Sequence, residues 1–283
     1  MSEIFKGAPV TKLIKERIKA ESESLRQRGI VPTLGIIRMG NRADDISYER
    51  GVIKNCDSVG IESRVFDVSA DTSMDKFVEL LEKVNNDSSI HGILMFRPLP
   101  DHIDYEVIKN LIDPRKDVDC MSPINLQKVF EGELDGFVPC TPKAVVEVLK
   151  YYNVPLVGAN VAIINRSIVV GKPLSMMFLG ESSTVTICHS KTKNLPEVTA
   201  SADIVVAAVG KPKMLGQEYF SENSVVIDVG INDAGEGKIC GDVDYDSVVE
   251  KVRAISPVPG GLGSVTSAVL LSHVIIACKN IIK

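Results

Sequence analysis

No tract of lysine and arginine interrupts the 283 residues, no two cysteines stand in CxxC spacing, and no apolar stretch approaches the roughly 20 residues that cross a bilayer. Each absence removes a class of protein. A net charge of −5 without a basic tract is a poor match for tracking a nucleic-acid backbone. The six cysteines (Cys56, Cys120, Cys140, Cys188, Cys240 and Cys278) lie far apart, which argues against a disulfide framework and a zinc site. A reducing cytoplasm is therefore expected, and no membrane contact. The opening MSEIFKGAPVTK lacks the apolar core of a signal peptide, so no secretory address is expected. His91, His102, His189 and His273 show no ligand spacing, so no metal is expected. No Ser-His-Asp arrangement, nucleophile elbow, internal repeat or low-complexity tract is evident. What is left is a soluble globular composition, 45% hydrophobic and 24% charged, in a chain long enough for two domains.

Helix and strand patterns alternate along it. Residues 11–28 place Leu13, Ile14, Ile18 and Leu25 at helical spacing, with Gly29 as the stop. A buried strand is predicted over 33–40, a helix over 45–59 and a strand over 63–68. Thr72 or Ser73 can cap a helix reaching about Val84, and a strand follows over 92–96. A boundary falls near 138–143, where Thr141 can cap a helix and Pro142 suits its first turn. The second series predicts strands over 160–165, 184–188, 204–209 and 225–230, with a helix from about Pro173 and an apolar final helix over 267–282. Such β-α-β alternation predicts an α/β fold with a parallel sheet and helices on both faces.

The turn NRSIVVGKP (165–173) between strand and helix directs backbone N–H groups and a helix dipole at an anion such as a dinucleotide phosphate. It is not GxGxxG: Asn165 stands where a first glycine is expected, and only Gly171 remains. The next strand ends in His189-Ser190-Lys191-Thr192-Lys193, without the carboxylate that commonly holds the ribose hydroxyl of NAD. Arg166 can form paired hydrogen bonds to a ribose phosphate and Ser190 can add another. NADP is favoured, against a merely solvated basic loop. DVGIN (228–232) ends a strand where α/β sheets place ligands, and PVPGGLG (257–263) offers a backbone that can approach a flat ring or form a rigid turn.

In this order, KDVD (116–119), PCTP (139–142), RSxxVGxP (166–173), CHSKT (188–192), VIDVGIN (226–232) and PVPGGLG resemble the methylenetetrahydrofolate dehydrogenase/methenyltetrahydrofolate cyclohydrolase family over nearly the whole chain. The resemblance implies a catalytic folate-binding α/β domain (1–140), a Rossmann-type NADP domain (141–264), a cleft between them, and a final helix (265–283) packed on the first. It implies NADP-linked oxidation of methylenetetrahydrofolate, in many members followed by hydrolysis to the formyl derivative used in purine biosynthesis, and usually a homodimer. Carried over by position, Tyr48 packs against the aminobenzoyl part of folate and Asp119 hydrogen-bonds the pterin. Phe96, Pro98, Pro259, Gly260 and Gly261 line the folate site. Asn165, Arg166, Ser167, Gly171 and Ser190 form the cofactor site, with Ile231 contributing its backbone. On the residues alone, a lone helix tyrosine such as Tyr48 is more often a packing residue than a ligand, and Asp119 can cap a turn.

Four positions depart from the family pattern. The catalytic lysine belongs four residues after Tyr48, on the same helix face, and Val52 stands there. Lys54 is about 240° around an ideal helix from Tyr48 and serves only if the helix shifts register, for instance at Gly51; Arg50 is equally off-register. Phe96 replaces a glutamine, with Arg97 beside it as a possible substitute cation. Asn165 replaces a glycine, tolerable because asparagine accepts left-handed angles, and Ser264 replaces a proline. Catalytic candidates are therefore Tyr48, Lys54, Arg97 and Asp119. Hydride transfer needs mainly positioning, whereas hydrolysis gains a factor of about 10²–10⁴ from a placed acid–base group. A dehydrogenase with weak or relocated cyclohydrolase activity is predicted. The alternatives are a fully bifunctional enzyme using Lys54, Arg50 or Arg97, and a non-catalytic folate- or NADP-binding paralogue.

Overall fold

The structure, a computed structural model, describes residues 2–235 and 237–282. It begins with β1 (Glu3–Ile4) and α1 (Gly7–Gln27), then alternates through β2 (Thr33–Met39), α2 (Ala43–Ser58), β3 (Glu62–Val68), α3 (Met74–Asn86) and β4 (Gly92–Met95). Two short helices follow, α4 (Tyr105–Leu111) and α5 (Pro123–Glu131). The second series comprises α6 (Cys140–Tyr151), β5 (Asn160–Ile164), α7 (Gly171–Gly180), β6 (Thr184–Cys188), α8 (Leu195–Ala200), β7 (Ile204–Ala207) and β8 (Val225–Asp228). A hairpin of β9 (Asn232–Gly235) and β10 (Lys238–Cys240), then α9 (Tyr245–Val248), β11 (Ala254–Ile255) and α10 (Leu262–Ile281) complete it.

Two compact units result. One contains Leu13–Val138 and the chain from Ser267 onward; its parallel sheet runs β3-β2-β4, with Ile36 paired to Val65 on one side and Leu94 on the other. All seven residues of the central β2 are buried. Phe77, Leu81 and Val84 share one face of α3 at helical spacing and pack with Ile37, Ile93 and Met95. Each such fully buried side chain contributes about 1.5–3 kcal/mol.

The other unit contains Pro139–Thr266 and the chain up to Lys12. Its six-stranded parallel sheet runs β1-β11-β8-β7-β5-β6. Val205 and Ala207 of β7, Val226 of β8 and Ile255 of β11 join its core with Phe220 and Val248. The N-terminal residues thus belong with the second β-α-β series, not with the 1–140 block, because Glu3 and Ile4 pair with Ala254 and Ile255.

Several local expectations are corrected. Leu13 is 37% exposed, and Val10 takes its place beside Ile14, Ile18 and Leu25 in the buried face of α1. Ser73 occupies the cap position of α3 without a side-chain cap bond. Pro139, not Thr141, precedes α6, so Thr141 and Pro142 fall inside its first turn. The α7 helix begins at Gly171, ahead of Pro173. The expectation that no stretch is long and apolar enough to span a bilayer also fails. With 20 residues and mean hydropathy 1.6, α10 meets that test by length and composition. Its apolar window is 61% buried inside the protein, as in a core helix.

Candidate functional site

The turn after β5 is organised by a side chain. Asn165 is not among the residues with positive φ, so its tolerance of left-handed angles is not what replaces glycine. Its amide does the work instead. Oδ1 accepts the N–H groups of Ser167 (2.8 Å) and Gly171 (3.0 Å), while Nδ2 donates to the Ala208 carbonyl at 2.6 Å. Ser167 Oγ accepts the Val170 N–H at 3.1 Å. A Cβ on Gly171 would stand 2.0 Å from the Asn165 carbonyl oxygen, so only glycine closes this turn.

At the C-terminal ends of β5, β6 and β7 lies a cavity of about 230 Å³, lined by Asn165, Arg166, His189, Ser190, Lys211 and apolar neighbours including Ile164 and Met214. The structure therefore brings together three predicted residues, Asn165, Arg166 and Ser190. Ser167, Gly171 and Ile231 are not part of this lining. Ile231 is 67% exposed beyond β8. The lining contains basic groups and no carboxylate, which fits a phosphorylated ribose rather than a free diol. Lys211 has no sequence signal: its context, GKP after a strand, does not show that the loop folds back to the cavity.

Two buried carboxylates hold the adjoining loops, and neither was foreseen. Asp228 accepts the N–H groups of Gly230 (2.9 Å), Asp242 (3.1 Å) and Val243 (2.9 Å). Burial pushes its pKa up to about 6, against the pull of those N–H groups. Asp242, fully buried, accepts the N–H groups of Val209 (2.6 Å), Gly210 (3.0 Å) and Lys211 (2.9 Å) and the Asn232 amide (2.9 Å).

PVPGGLG, in the same unit, packs on the start of α1. The Gly260 carbonyl accepts the Gly7 N–H at 2.8 Å, and a Cβ on Gly261 would lie 2.5 Å from the Pro257 carbonyl oxygen. The Val258–Pro259 bond is cis. Ser264 Oγ lies 2.9 Å from Thr11 Oγ1, which gives the serine at the family's proline position a partner. These contacts account for the glycines as packing residues.

The remaining candidates lie in the three-stranded unit. Tyr48 on α2 is 49% exposed, and its ring centroid lies 5.1 Å from that of buried Phe96 at the end of β4. Arg42, at the start of α2, donates to the Arg97 carbonyl at 3.4 Å and so joins the two elements. Arg97 donates to Asp119 Oδ2 at 2.8 Å and to the Tyr105 hydroxyl at 3.3 Å. Burial works to lower the Arg97 pKa, but Asp119 and Tyr105 outweigh it and the net direction is upward. Both partners keep some exposure, 30% for Arg97 and 27% for Asp119, so the pair is reachable. Pro98 follows across a cis bond and is exposed.

Lys54 and Arg50 do not join this cluster. Helix α2 is continuous through Gly51, so the register shift that would bring Lys54 round to Tyr48 does not occur, and both side chains are exposed. Val52 is 4% exposed. Within KDVD, Asp117 is the turn organiser: it accepts the N–H groups of Met121 and Ser122 and the Asn125 amide, and burial raises its pKa. Lys116 is buried too and donates to the Asp87 carbonyl at 2.7 Å. No group of three metal-ligating side chains occurs among the described residues.

A parallel β-α-β sheet with a basic cleft at its strand ends defines a dinucleotide-binding α/β protein carrying a second α/β unit. The comparisons specify it further. Residues 5–119 match the catalytic domain of tetrahydrofolate dehydrogenase/cyclohydrolase, and residues 139–282 match the NAD(P)-binding domain of the same family. The chain belongs to that family. It is 55% identical to bifunctional protein FolD 1 of Desulfitobacterium hafniense over 280 residues, 99% of this chain and 100% of that one. Among solved structures, a bifunctional methylenetetrahydrofolate dehydrogenase/cyclohydrolase from Campylobacter jejuni superposes with TM-score 0.96 at 38% identity, covering 99% of both chains. The Trypanosoma brucei dehydrogenase-cyclohydrolase, complexed with NADP cofactor and inhibitor, gives 0.94 at 30% identity, covering 100% of this chain and 99% of that one.

Proposed function

We propose that this chain is an NADP-dependent methylenetetrahydrofolate dehydrogenase with weak or relocated methenyltetrahydrofolate cyclohydrolase activity. The observation that carries the reading is the basic, carboxylate-free cavity behind the Asn165 turn, in a chain whose two parts match the two family domains. Bound NADP supplies the hydride acceptor. Arg166, Ser167 and Ser190 hold its phosphates, Asn165 and Gly171 keep the turn closed, and Ile231 offers its exposed main chain. On the folate side Tyr48 packs against the aminobenzoyl ring and Asp119 accepts from the pterin. Phe96 and Pro98, with Pro259, Gly260 and Gly261, border the substrate.

Hydrolysis is the step that suffers. Val52 offers no ammonium and Phe96 no amide, and neither can orient water. Arg97 is a catalytic candidate cation in direct contact with Asp119. Because a guanidinium does not give up its proton at ordinary pH, Arg97 can stabilise charge and orient water but cannot act as a base. Lys54 stays off the Tyr48 face of an unbroken helix, which disfavours it.

Oxidation and hydrolysis together would feed formyl groups to purine biosynthesis in the cytoplasm. A homodimer is supported by the edge strand β6 and its neighbours, where Ile187 is 38%, Leu179 61% and Val157 80% exposed. Mixing the protein with NADP and methylenetetrahydrofolate, and following NADPH and methenyl absorbance separately, tests the reading. NADPH formation with accumulating methenyl is expected. NADPH without methenyl would mean efficient hydrolysis, and binding of both ligands without NADPH would mean a non-catalytic paralogue.

A further inference from the structure

The loop after β7 is built more firmly than a connection needs to be. Three consecutive N–H groups, from Val209, Gly210 and Lys211, converge on the carboxylate of Asp242, a residue 31 to 33 positions further along the chain. The Asn232 amide occupies the same carboxylate at 2.9 Å, so that four donors fix it. The carboxylate is fully buried, and the loop backbone is therefore tied to the protein interior. Asn165 Nδ2 binds the Ala208 carbonyl at 2.6 Å, which joins the same loop to the turn after β5.

This clamp sets Lys211 in the lining of the cavity that also contains Arg166 and Ser190. Among the described residues no carboxylate forms an ion pair with Lys211, whereas Lys213, two residues on, lies 3.8 Å from Asp246. A cation held at a cavity wall, beside a second cation and a hydroxyl, with no acidic residue in the lining, is arranged for a dianionic phosphate. A cofactor lacking that phosphate would leave the positive groups to solvent and gain nothing from them.

We infer that Lys211 is a further cofactor-discriminating residue, binding the phosphate on the adenosine ribose of NADP, and that Asp242 is its positioning residue. The inference rests on the NADP reading above. Lys211 contributes one charge-assisted contact, Asp242 contributes none directly, and the clamp spares Lys211 the cost of ordering its loop when ligand arrives.

The test is calorimetric binding of NADP, NAD and adenosine 2′,5′-bisphosphate to the full chain without folate, so that turnover plays no part. Wild type should favour NADP over NAD. Lys211→Gln should weaken NADP and the bisphosphate about tenfold, the effect of roughly 1.4 kcal/mol, and change NAD less than twofold. Lys211→Arg should restore most of the loss. Asp242→Asn should reduce the NADP-to-NAD ratio to the level of Lys211→Gln, and the double variant should lose no more than either single one, as expected for residues acting through one contact. Equal weakening of NADP and NAD by Lys211→Gln would place the lysine on the shared pyrophosphate and overturn the inference. So would an unchanged ratio in Lys211→Gln while wild type still favours NADP. A wild type with no preference for NADP would overturn both the cofactor reading and this inference. If Asp242→Asn does not fold, the two Lys211 variants decide.

Discussion

Gly171→Ala is the most direct probe of the cofactor turn, because its cost can be worked from the geometry. The new Cβ would stand 2.0 Å from the Asn165 carbonyl oxygen, 2.4 Å from its carbon and 2.9 Å from the Arg166 nitrogen. All three are backbone atoms, so no side-chain rotation relieves the contact, and the turn must open by about 1 Å to reach even the shortest separation real Cβ atoms show. An opening of that size breaks the bonds from Ser167 and Gly171 to Asn165 Oδ1, at about 1 kcal/mol each. Residual strain brings the total to about 2–3 kcal/mol. With tenfold in affinity for every 1.4 kcal/mol, NADP binding should weaken about 30- to 140-fold. Calorimetric titration with NADP measures this, and thermal unfolding should show a midpoint lowered by several degrees. The control is Gly51→Ala, where a Cβ meets nothing within 4 Å in the middle of α2. It should stabilise the protein by about 0.5–1 kcal/mol and leave NADP binding alone. A Gly171→Ala protein that binds NADP within threefold of wild type would refute the assignment of the cofactor to this turn.

Two further perturbations test other parts of the chain. For Asp228, the folded-state pKa of about 6 lies above the ordinary 3.8, so the fold favours the protonated form. That contribution is complete below pH 4 and is lost as pH rises through 6, about 3 kcal/mol in all. Asp228→Asn lacks it, so urea titrations should show the stability gap between wild type and variant narrowing by about 1 kcal/mol from pH 5 to pH 7; a constant gap would count against a protonated Asp228. Arg97→Met removes the guanidinium that lies 2.8 Å from Asp119 Oδ2. Methenyl hydrolysis should fall about 10²-fold, the usual cost of removing one charge-stabilising donor, with NADPH formation falling less than tenfold; unchanged hydrolysis would remove Arg97 from the reaction.

Much of the strand order was legible because strands buried on both faces of a parallel sheet read as apolar runs. GILMF, NVAIIN, IVVAAV and VVIDVG each lie on an observed strand, give or take two residues. The two-residue strands β1 and β11 carry no pattern of their own; β1 exists only through its pairing with β11, itself set against β8, so the sequence offers no sign that the N-terminal residues join this unit. Helices α4 and α5 announce themselves mainly through their caps, Asp104 to the Glu106 N–H and Ser122 to the Ile124 N–H, and these were passed over. In the cofactor unit the place of Arg166 and Ser190 at the cavity is readable from their position at strand ends. Lys211 and Asp242 are not so readable, since the carboxylate and the loop it ties come from separate strands and meet only in the folded sheet.

The departures in the three-stranded unit make sense as a set. Val52 and Phe96 are 4% and 6% exposed, so a lysine and a glutamine at these positions would each need a hydrogen-bonding partner. Phe96 instead supports the Tyr48 ring, and a positive charge that the lysine position lacks stands next to it at Arg97. There it meets Asp119, the carboxylate expected to hold the pterin. A carboxylate can accept about four hydrogen bonds, so Arg97 on Oδ2 is compatible with a pterin N–H on the same group. The arrangement keeps the means of positioning substrate for hydride transfer, with a guanidinium that cannot release its proton where the family relies on a lysine. The weak or relocated hydrolysis proposed above therefore turns on the identity of the cation beside Asp119: a lysine can be tuned to release its proton, and an arginine cannot.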